Sequence, residues 1–284
     1  MKPLNHYVLH LRPRSWPIVA GHMAVGYLIA VSPSGWMTHM PKLCLGAIIW
    51  SIMLNGGTLA FNSAFDRDTG NIGYLDSPPP VPKRLWFLGL LLMISGGISA
   101  FFISYSFTIA YWICFFMSVA YSCPPLRLKA RAGFDIAICV IGYGALTTFA
   151  GWSCARGSLT PFIVLTCLAF TFLFGTLYPL TQIYQSDEDH SKGDKTFTVA
   201  MGLHWSLLFS LLCLFCSFSL FFYLSFLLQS WWYLFLFPLL VWLIILIPWI
   251  KRGAGYPAKL GMYRSLWAWI ITDLTVVIIF SVLV

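Results

Sequence analysis

Seven of the chain's nine acidic residues fall in two short polar segments, residues 66–76 and 187–194. A random scatter of carboxylates over the polar parts of the chain would not concentrate them in this way. Carboxylate and amide oxygens are hard ligands that suit Mg²⁺, which typically combines one or two carboxylates with water and substrate phosphates. The clustering therefore indicates a cation site that handles a phosphorylated substrate.

A stripe of polar side chains leads into each acidic segment. Asn55, Asn62 and Asp66 are separated by seven and four residues, which puts them on one face of a helix. The second stripe, with separations of four, three and four, consists of Tyr178, Gln182, Gln185 and Asp189. Polar groups at membrane depth are costly and usually face a bundle interior or a wet cavity. We therefore expect the two stripes to face one another and to hold Mg²⁺.

Cationic side chains near both segments could balance the remaining charge. Bare carboxylates repel a diphosphate, so a metal ion has to mediate the contact and basic groups have to neutralise what is left. The available basic residues are Arg67, Arg127, Lys129 and Lys195.

The elements that must position these groups are apolar helices. The chain has 284 residues, of which 59% are hydrophobic and 9% charged, against about 25% charged in soluble domains. A transmembrane helix needs roughly 20 mostly apolar residues. The sequence therefore predicts an all-α, polytopic membrane bundle of about nine transmembrane helices around a central cavity, in one domain spanning residues 1–284. The predicted spans are 16–32, 43–65, 85–104, 106–122, 133–154, 161–184, 203–228, 231–250 and 266–284.

The placement of positive charge gives the orientation. With nine spans, one membrane face receives all but two of the 17 Lys and Arg residues, and the other face receives only Lys42 and Arg156. By the positive-inside rule, the N-terminus and the acidic segments are predicted to be cytoplasmic and the C-terminus to lie on the opposite side. The net charge of +8 is thus a feature of membrane topology. We expect the lipid bilayer as a partner, with no nucleic acid and no obligate protein partner.

Four motifs in order along the chain resemble the UbiA superfamily of intramembrane prenyltransferases. Residues 62–70, NSAFDRDTG, are similar to its first signature, N-D-x-x-D-x-x-x-D, and residues 185–196 are similar to its second, D-x-x-x-D followed by G-[KD]-[KR]-T. Residues 121–129, YSCPPLRLK, match its Y-S-x-P-P-x-R-x-K stretch, and residues 12–16, RPRSW, its R-P-x-x-W opening. The residues that stand where the family usually has aspartate are Ser63, Gly70 and Gln185.

The resemblance implies a helical bundle whose cavity is open to lipid, and transfer of a prenyl group from a prenyl diphosphate to an aromatic or other lipophilic acceptor. It assigns Asp66 and Asp189 to catalysis through the metal. The full implied set of Mg²⁺ ligands is Asn62, Asp66, Gln185 and Asp189, with Asp68 and Asp187 as accessory candidates. The implied diphosphate ligands are Lys129 and Tyr121, with Arg127, Arg67 and Lys195 as companions.

Two other functions use the same residues. In a terpene cyclase or synthase of this family, the carbocation would be captured within the prenyl chain that carries it, without an external acceptor. A cation-dependent transporter is favoured less, because the opposite face is nearly bare of charge and we see no pair of Gly/Pro-broken helices repeated in each half.

Isolated polar residues in the spans carry weaker signals. His22 and His204 are predicted to be structural. The sequence is equally compatible with two roles for Asp135 and Asp273. Each could be a buried carboxylate that is paired with a neighbouring side chain, or each could have a direct role in function.

Overall fold

The computed structural model describes residues 3–66, 72–73, 75, 77–156, 158–191 and 193–282. Within these ranges, eight helices are long and apolar enough to cross a membrane. A short helix, α1 (Pro3–His10), and a 13-residue helix, α2 (Trp16–Leu28), precede them. The eight are α3 (Met40–Asp66), α4 (Leu85–Phe102), α5 (Tyr105–Ser122), α6 (Phe134–Ser153), α7 (Pro161–Ser191), α8 (Phe197–Leu227), α9 (Trp232–Gly255) and α10 (Ala258–Val282). The predicted polytopic helical bundle is confirmed.

Helix α2 accounts for the difference between about nine predicted spans and the eight long helices. It ends at Leu28 instead of residue 32, and at 1.5 Å per residue its length is about 20 Å, short of a typical hydrocarbon core of roughly 30 Å. Its backbone lies directly against α6. A Cβ atom on Gly26 would lie 1.9 Å from the Thr148 carbonyl oxygen, and one on Gly151 would lie 1.7 Å from the Met23 carbonyl oxygen. Glycine therefore sets the contact between α2 and α6, as small residues do between membrane helices.

Several helices depart from regular α geometry. Residues Ile48–Gly56 in α3 and Val140–Leu146 in α6 are π-helical, and residues Ile183–Gln185 form a 3₁₀ turn within α7. Helix α8 is broken at Gly202, where φ is 72°. Wide π turns occur often at functional sites because they re-aim side chains. All three distorted segments of α3, α6 and α7 contribute side chains to the cavity described below.

The apolar core has two large clusters. One lies mainly among α7, α8, α9 and α10 and includes Phe170 and Trp242; the other lies among α2, α3, α4, α5 and α6 and includes Met23 and Trp50. Trp50 of the second cluster and Trp269 of the first both line the same cavity. The cavity therefore lies where the two halves of the bundle meet.

Candidate active site

A cavity of about 330 Å³ lies between the helices. Its wall is built by α2, α3, α5, α6, α7 and α10, and by the segments that follow α3, α5 and α7. Both polar stripes predicted from the sequence, residues 55–66 of α3 and 178–189 of α7, contribute every one of their members to this wall. The ends of α3 and α7 supply the polar end of the cavity, and the rest of the wall is mainly aromatic and aliphatic, with a few polar side chains such as His22 and Thr147.

The polar end gathers most of the predicted metal ligands. Asn62 and Asp66 from α3, and Gln185 and Asp189 from α7, all line the cavity. The Asn62 side-chain oxygen accepts a hydrogen bond from the Ser122 hydroxyl at 3.5 Å. Predicted residues Arg67 and Asp68 lie outside the described residues.

Lys129 forms an ion pair with Asp66 at this end. The side chains of the two residues are 15% and 5% exposed, so water screens the pair only weakly. Lys129 lies in a 3₁₀ turn, Leu128–Ala130, directly after the segment that follows α5. A cation is thus held against a predicted metal ligand, and Tyr121 lines the same cavity.

The acidic residues of α7 do not all face the cavity. Asp189 and Glu188 line it, whereas Asp187 is exposed and does not. At about 100° per residue, Asp187 lies roughly 200° around the helix from Asp189, which explains its outward position. Glu188 was missed by sequence reasoning, although the helical phase of the stripe already favours residue 188 over residue 187.

Arg127 and Lys195 lie beside the cavity without lining it. The Arg127 Nη1 and Nη2 atoms donate to the two carboxylate oxygens of buried Asp194 at 2.6 and 3.0 Å. The Lys195 amide donates to the Ala130 carbonyl oxygen at 3.1 Å, while its residue is solvent-exposed. These bonds fasten the segment that carries Lys129 to the segment that precedes α8.

This arrangement predicts that Arg127 acts by holding Lys129 in place. We expect Arg127→Ala and Asp194→Ala each to lower kcat/KM about tenfold, mainly through KM, for the prenyl diphosphate that the family resemblance implies as substrate. The double variant should be no worse than either, because the effects of removing the two partners of one ion pair are not additive. Arg127→Lys cannot make the bidentate pair, so its kcat/KM should lie between the values for the wild type and for Arg127→Ala. If Arg127→Ala costs far more than Asp194→Ala, the arginine binds the diphosphate directly instead.

Asp135, at the start of α6, is a buried carboxylate that is hydrogen-bonded to its neighbours, which is one of the two alternatives left open by the sequence. It is fully buried, and its Oδ2 accepts from the Phe197 amide at 2.7 Å and the Tyr178 hydroxyl at 3.2 Å. Its Oδ1 accepts from the Gly133 amide at 2.9 Å. The carboxylate therefore ties the starts of α6 and α8 to a tyrosine of the cavity wall.

Arg12 is a second cation on the cavity wall and was given no role from the sequence. It is buried, and its Nη2 donates to the Ser63 hydroxyl at 3.2 Å. Ser63 stands where the first signature usually has aspartate. The Arg12 guanidinium is therefore hydrogen-bonded at this position to a neutral hydroxyl. The R-P-x-x-W match at residues 12–16 was the signal that could have identified Arg12.

In the deeper part of the cavity the wall is aromatic, and its polar side chains form hydrogen bonds with one another. The Tyr143 hydroxyl donates to Asn55 Oδ1 at 2.9 Å, and Asn55 Nδ2 donates to the Ser15 hydroxyl at 3.0 Å. The Tyr143 ring stacks on Phe174 with centroids 5.1 Å apart. Tyr143 and Asn55 come from the two π-helical segments, which therefore meet across this part of the cavity.

The donor set suits a hard cation. Carboxylate and amide oxygens from α3 and α7 line one end of the cavity. Within the described residues, three or more His, Cys, Asp or Glu side chains do not come together as a protein-only metal cage. Mg²⁺ rarely uses such a cage, because it keeps water and shares its coordination with substrate phosphates. The residues present thus fit Mg²⁺ better than a site for zinc.

Fold and site define an integral, multi-pass membrane protein with an acid- and base-lined cavity between its helices. The chain belongs to the UbiA prenyltransferase family, because residues 15–269 match the sequence profile of that family. The family resemblance expected from the four motifs is confirmed. Among curated protein sequences, no significant match is found.

Solved structures of similar fold support the same architecture. A UbiA homologue from Archaeoglobus fulgidus, bound to GPP and Mg²⁺, is 21% identical with a TM-score of 0.72, covering 96% of this chain and 99% of its own. The same homologue bound to DMAPP and Mg²⁺ is 20% identical with a TM-score of 0.72, covering 95% and 98%. A digeranylgeranylglyceryl phosphate synthase is 17% identical with a TM-score of 0.71, covering 98% of both chains.

Proposed function

We propose that this protein transfers a prenyl group from a prenyl diphosphate to an aromatic or other lipophilic acceptor within the membrane, in a Mg²⁺-dependent reaction. The observation that carries the proposal is the meeting of the α3 and α7 polar stripes with Lys129 at one end of a single cavity. Membership of the prenyltransferase family supports it. So do the similar structures from Archaeoglobus fulgidus that hold a prenyl diphosphate with Mg²⁺.

The residues proposed to hold Mg²⁺ are Asn62, Asp66, Gln185 and Asp189, with Asp68 kept as an accessory candidate and Glu188 taking the place of the outward-facing Asp187. When bound, Mg²⁺ supplies positive charge that neutralises the diphosphate. Lys129 and Tyr121 supply a further charge and a hydroxyl donor on the same wall. Groups fixed in advance where negative charge develops are a large source of catalysis.

In this proposal the allylic C–O bond breaks, the diphosphate leaves with the bonding electrons, and the acceptor captures the carbocation. The chain's own residues perform two tasks. Lys129 and Tyr121 hold the leaving oxygens at the polar end. Trp50, Tyr143 and Trp269 exclude water from the deeper part and offer ring faces that tolerate a cation.

The proposed orientation has the N-terminus and the acidic segments in the cytoplasm and the C-terminus on the opposite side. All but two of the 17 Lys and Arg residues support this arrangement. A prenyl diphosphate would then enter with its charged end towards the cytoplasm and its hydrocarbon within the bundle.

A donor-panel assay tests the function. Purified protein in nanodiscs, with Mg²⁺ and prenyl diphosphates of five to twenty carbons in the presence of phenols or hydroquinones, is expected to release diphosphate and form a prenylated acceptor. EDTA should stop the release and added Mg²⁺ should restore it. Product mass separates the outcomes: a hydrocarbon without acceptor identifies a terpene cyclase. Uptake into sealed vesicles without diphosphate release would instead identify a transporter and overturn the proposal.

A further inference from the structure

The cavity has a closed floor at the end away from the acidic segments. From the depth of this floor we infer that the donor carries a short prenyl chain, of at most about three isoprene units or roughly 15 carbons, and that Trp50 sets the limit. The inference rests on the proposed function and adds to it the length of the donor and a residue that selects for it.

The floor is defined by the point at which each of the six wall helices stops contributing to the cavity. Tyr111, Ala150 and Phe170, each about one turn further from the acidic segments than the last contributing residue of its helix, are 0% exposed and do not line the cavity. The bundle is therefore packed solid beyond this level. Within the described part of the chain, the deepest contributing residues are His22, Trp50, Cys114, Thr147, Phe174 and Trp269.

Trp50 of α3 extends across the floor towards α6. Its indole Nε1 donates to the Thr147 hydroxyl oxygen at 3.0 Å, and that hydroxyl donates to the Gly142 carbonyl oxygen at 2.9 Å. The indole also packs edge-on against Phe107 and Tyr111, with ring centroids 5.6 and 6.1 Å away. A buried ring that is held by a hydrogen bond and by aromatic contacts cannot turn aside for a longer chain without losing them.

His22 closes the floor on the α2 side, and both of its ring nitrogens are occupied. Its Nδ1 lies 3.0 Å from Asp273 Oδ1, and its Nε2 lies 3.0 Å from the Thr148 hydroxyl. Phe170 and Trp269 contact the imidazole edge-on, each with a centroid distance of 4.7 Å. These contacts join α2 to α6, α7 and α10, so this part of the floor is fixed as well. Asp273 is thus a paired carboxylate, one of the two alternatives that the sequence left open.

The rise of the helices gives the distance from the proposed metal ligands to the floor. Trp50 precedes Asn62 by 12 residues on α3, and Phe174 precedes Gln185 by 11 residues on α7. At 1.5 Å per residue, both separations correspond to about 16 to 18 Å. An isoprene unit adds four bonds, which advance an extended chain by about 5 Å. About three units therefore fill the space between the diphosphate and the floor, and a further unit would meet the Trp50 indole.

The test uses the full chain in nanodiscs with Mg²⁺ and with geranyl, farnesyl and geranylgeranyl diphosphate as donors. Turnover is measured as kcat/KM for diphosphate release. Binding is measured by isothermal titration with the S-thiolodiphosphate analogues of the same three chains, which ionise far more slowly. We expect the wild type to bind the geranylgeranyl analogue, and to use the geranylgeranyl donor, at least tenfold less well than the farnesyl compounds, since a closed apolar site rejects surplus carbon sterically.

Two substitutions are expected to move the length limit in opposite directions. Trp50→Ala removes the floor indole and should raise the preference for geranylgeranyl over farnesyl chains at least tenfold. Leu54→Trp puts an indole on a cavity-lining residue about one turn nearer the acidic segments. Because one turn and one isoprene unit are both about 5 Å long, this variant should lower the preference for farnesyl over geranyl chains at least tenfold.

Two further variants serve as a partial change and as a control. Thr147→Val keeps the volume of the side chain and loses the hydrogen bond to the indole, so it should shift the preference in the same direction as Trp50→Ala, by about threefold. Trp205→Ala removes an exposed indole of α8 and should keep the wild-type preference.

The outcomes separate this inference from the proposed function. If the analogues bind in the expected order and no donor releases diphosphate, the proposed function is wrong and the length limit stands; if neither binding nor release occurs, both are wrong. If the wild type binds and uses farnesyl and geranylgeranyl compounds equally well, the tail leaves the bundle sideways and the inference is wrong. If Trp50→Ala does not fold, Leu54→Trp and Thr147→Val decide, and unchanged preferences in both overturn the inference.

Discussion

Replacing Asp66 or Asp189 with alanine is expected to reduce diphosphate release at least 1,000-fold, to a level that excess Mg²⁺ does not restore. Each carboxylate lines the polar end of the cavity from a different helix. Removing either one would take away a proposed ligand for the metal and one of the carboxylates whose negative charge attracts it. A loss of this size corresponds to about 4 kcal/mol of transition-state stabilisation, which is reasonable for groups that act directly on developing charge.

Two neighbouring carboxylates of α7 provide a matched comparison, with Asp187 as the control and Glu188 as an accessory candidate. Asp187→Asn changes an exposed carboxylate and Glu188→Gln changes one that lines the cavity. We therefore expect Glu188→Gln to lower turnover more than Asp187→Asn. Folding is checked by size-exclusion chromatography and thermal unfolding in detergent. Normal turnover in correctly folded Asp66→Ala and Asp189→Ala protein would remove the metal assignment.

Replacing Lys129 with methionine is expected to lower kcat about 100-fold and to raise the donor KM at least tenfold. The long apolar side chain keeps much of the packing, whereas the ammonium that pairs with Asp66 is lost. The leaving diphosphate would then lose a cation that we propose binds it, and the expected loss is typical of removing one charge-stabilising donor. Lys129→Arg, which keeps the charge in a different shape, should recover part of the activity.

Lys129→Met should also change the Mg²⁺ requirement, in the direction opposite to the change in the donor KM. Lys129 forms an ion pair with Asp66 and would therefore compete with the Mg²⁺ that we propose Asp66 binds, so the Mg²⁺ concentration for half-maximal activity should fall in Lys129→Met. Lys251→Met, which removes an exposed lysine at the end of α9, is the control and should change neither value. An unchanged donor KM in Lys129→Met would contradict the role given to this lysine.

Local pattern was sufficient to predict much of this protein. Apolar runs predicted the bundle, because a helix that crosses lipid must be apolar over most of its length. The stripes 55–66 and 178–189 were recognisable because helical spacing is a property of the sequence itself, and both line the cavity. The first predicted span ran to residue 32 because residues 29–31 are also apolar, whereas α2 ends at Leu28.

Contacts between distant parts of the chain were beyond such reasoning. His22 and Asp273 are separated by 251 positions, and each is a single polar residue in an apolar helix, so nothing local connects them. The pairing of Arg127 with Asp194 is similar: both residues belong to motifs, but their contact depends on how the segments after α5 and α7 fold together.

The glycine contact between α2 and α6 has a mechanical consequence. At Gly26 and Gly151 there is not enough room for even a methyl group, so any side chain at either position would force these two helices apart. In the proposed function, a longer isoprenoid tail would therefore need space from another part of the wall, such as that occupied by the indole of Trp269 on α10.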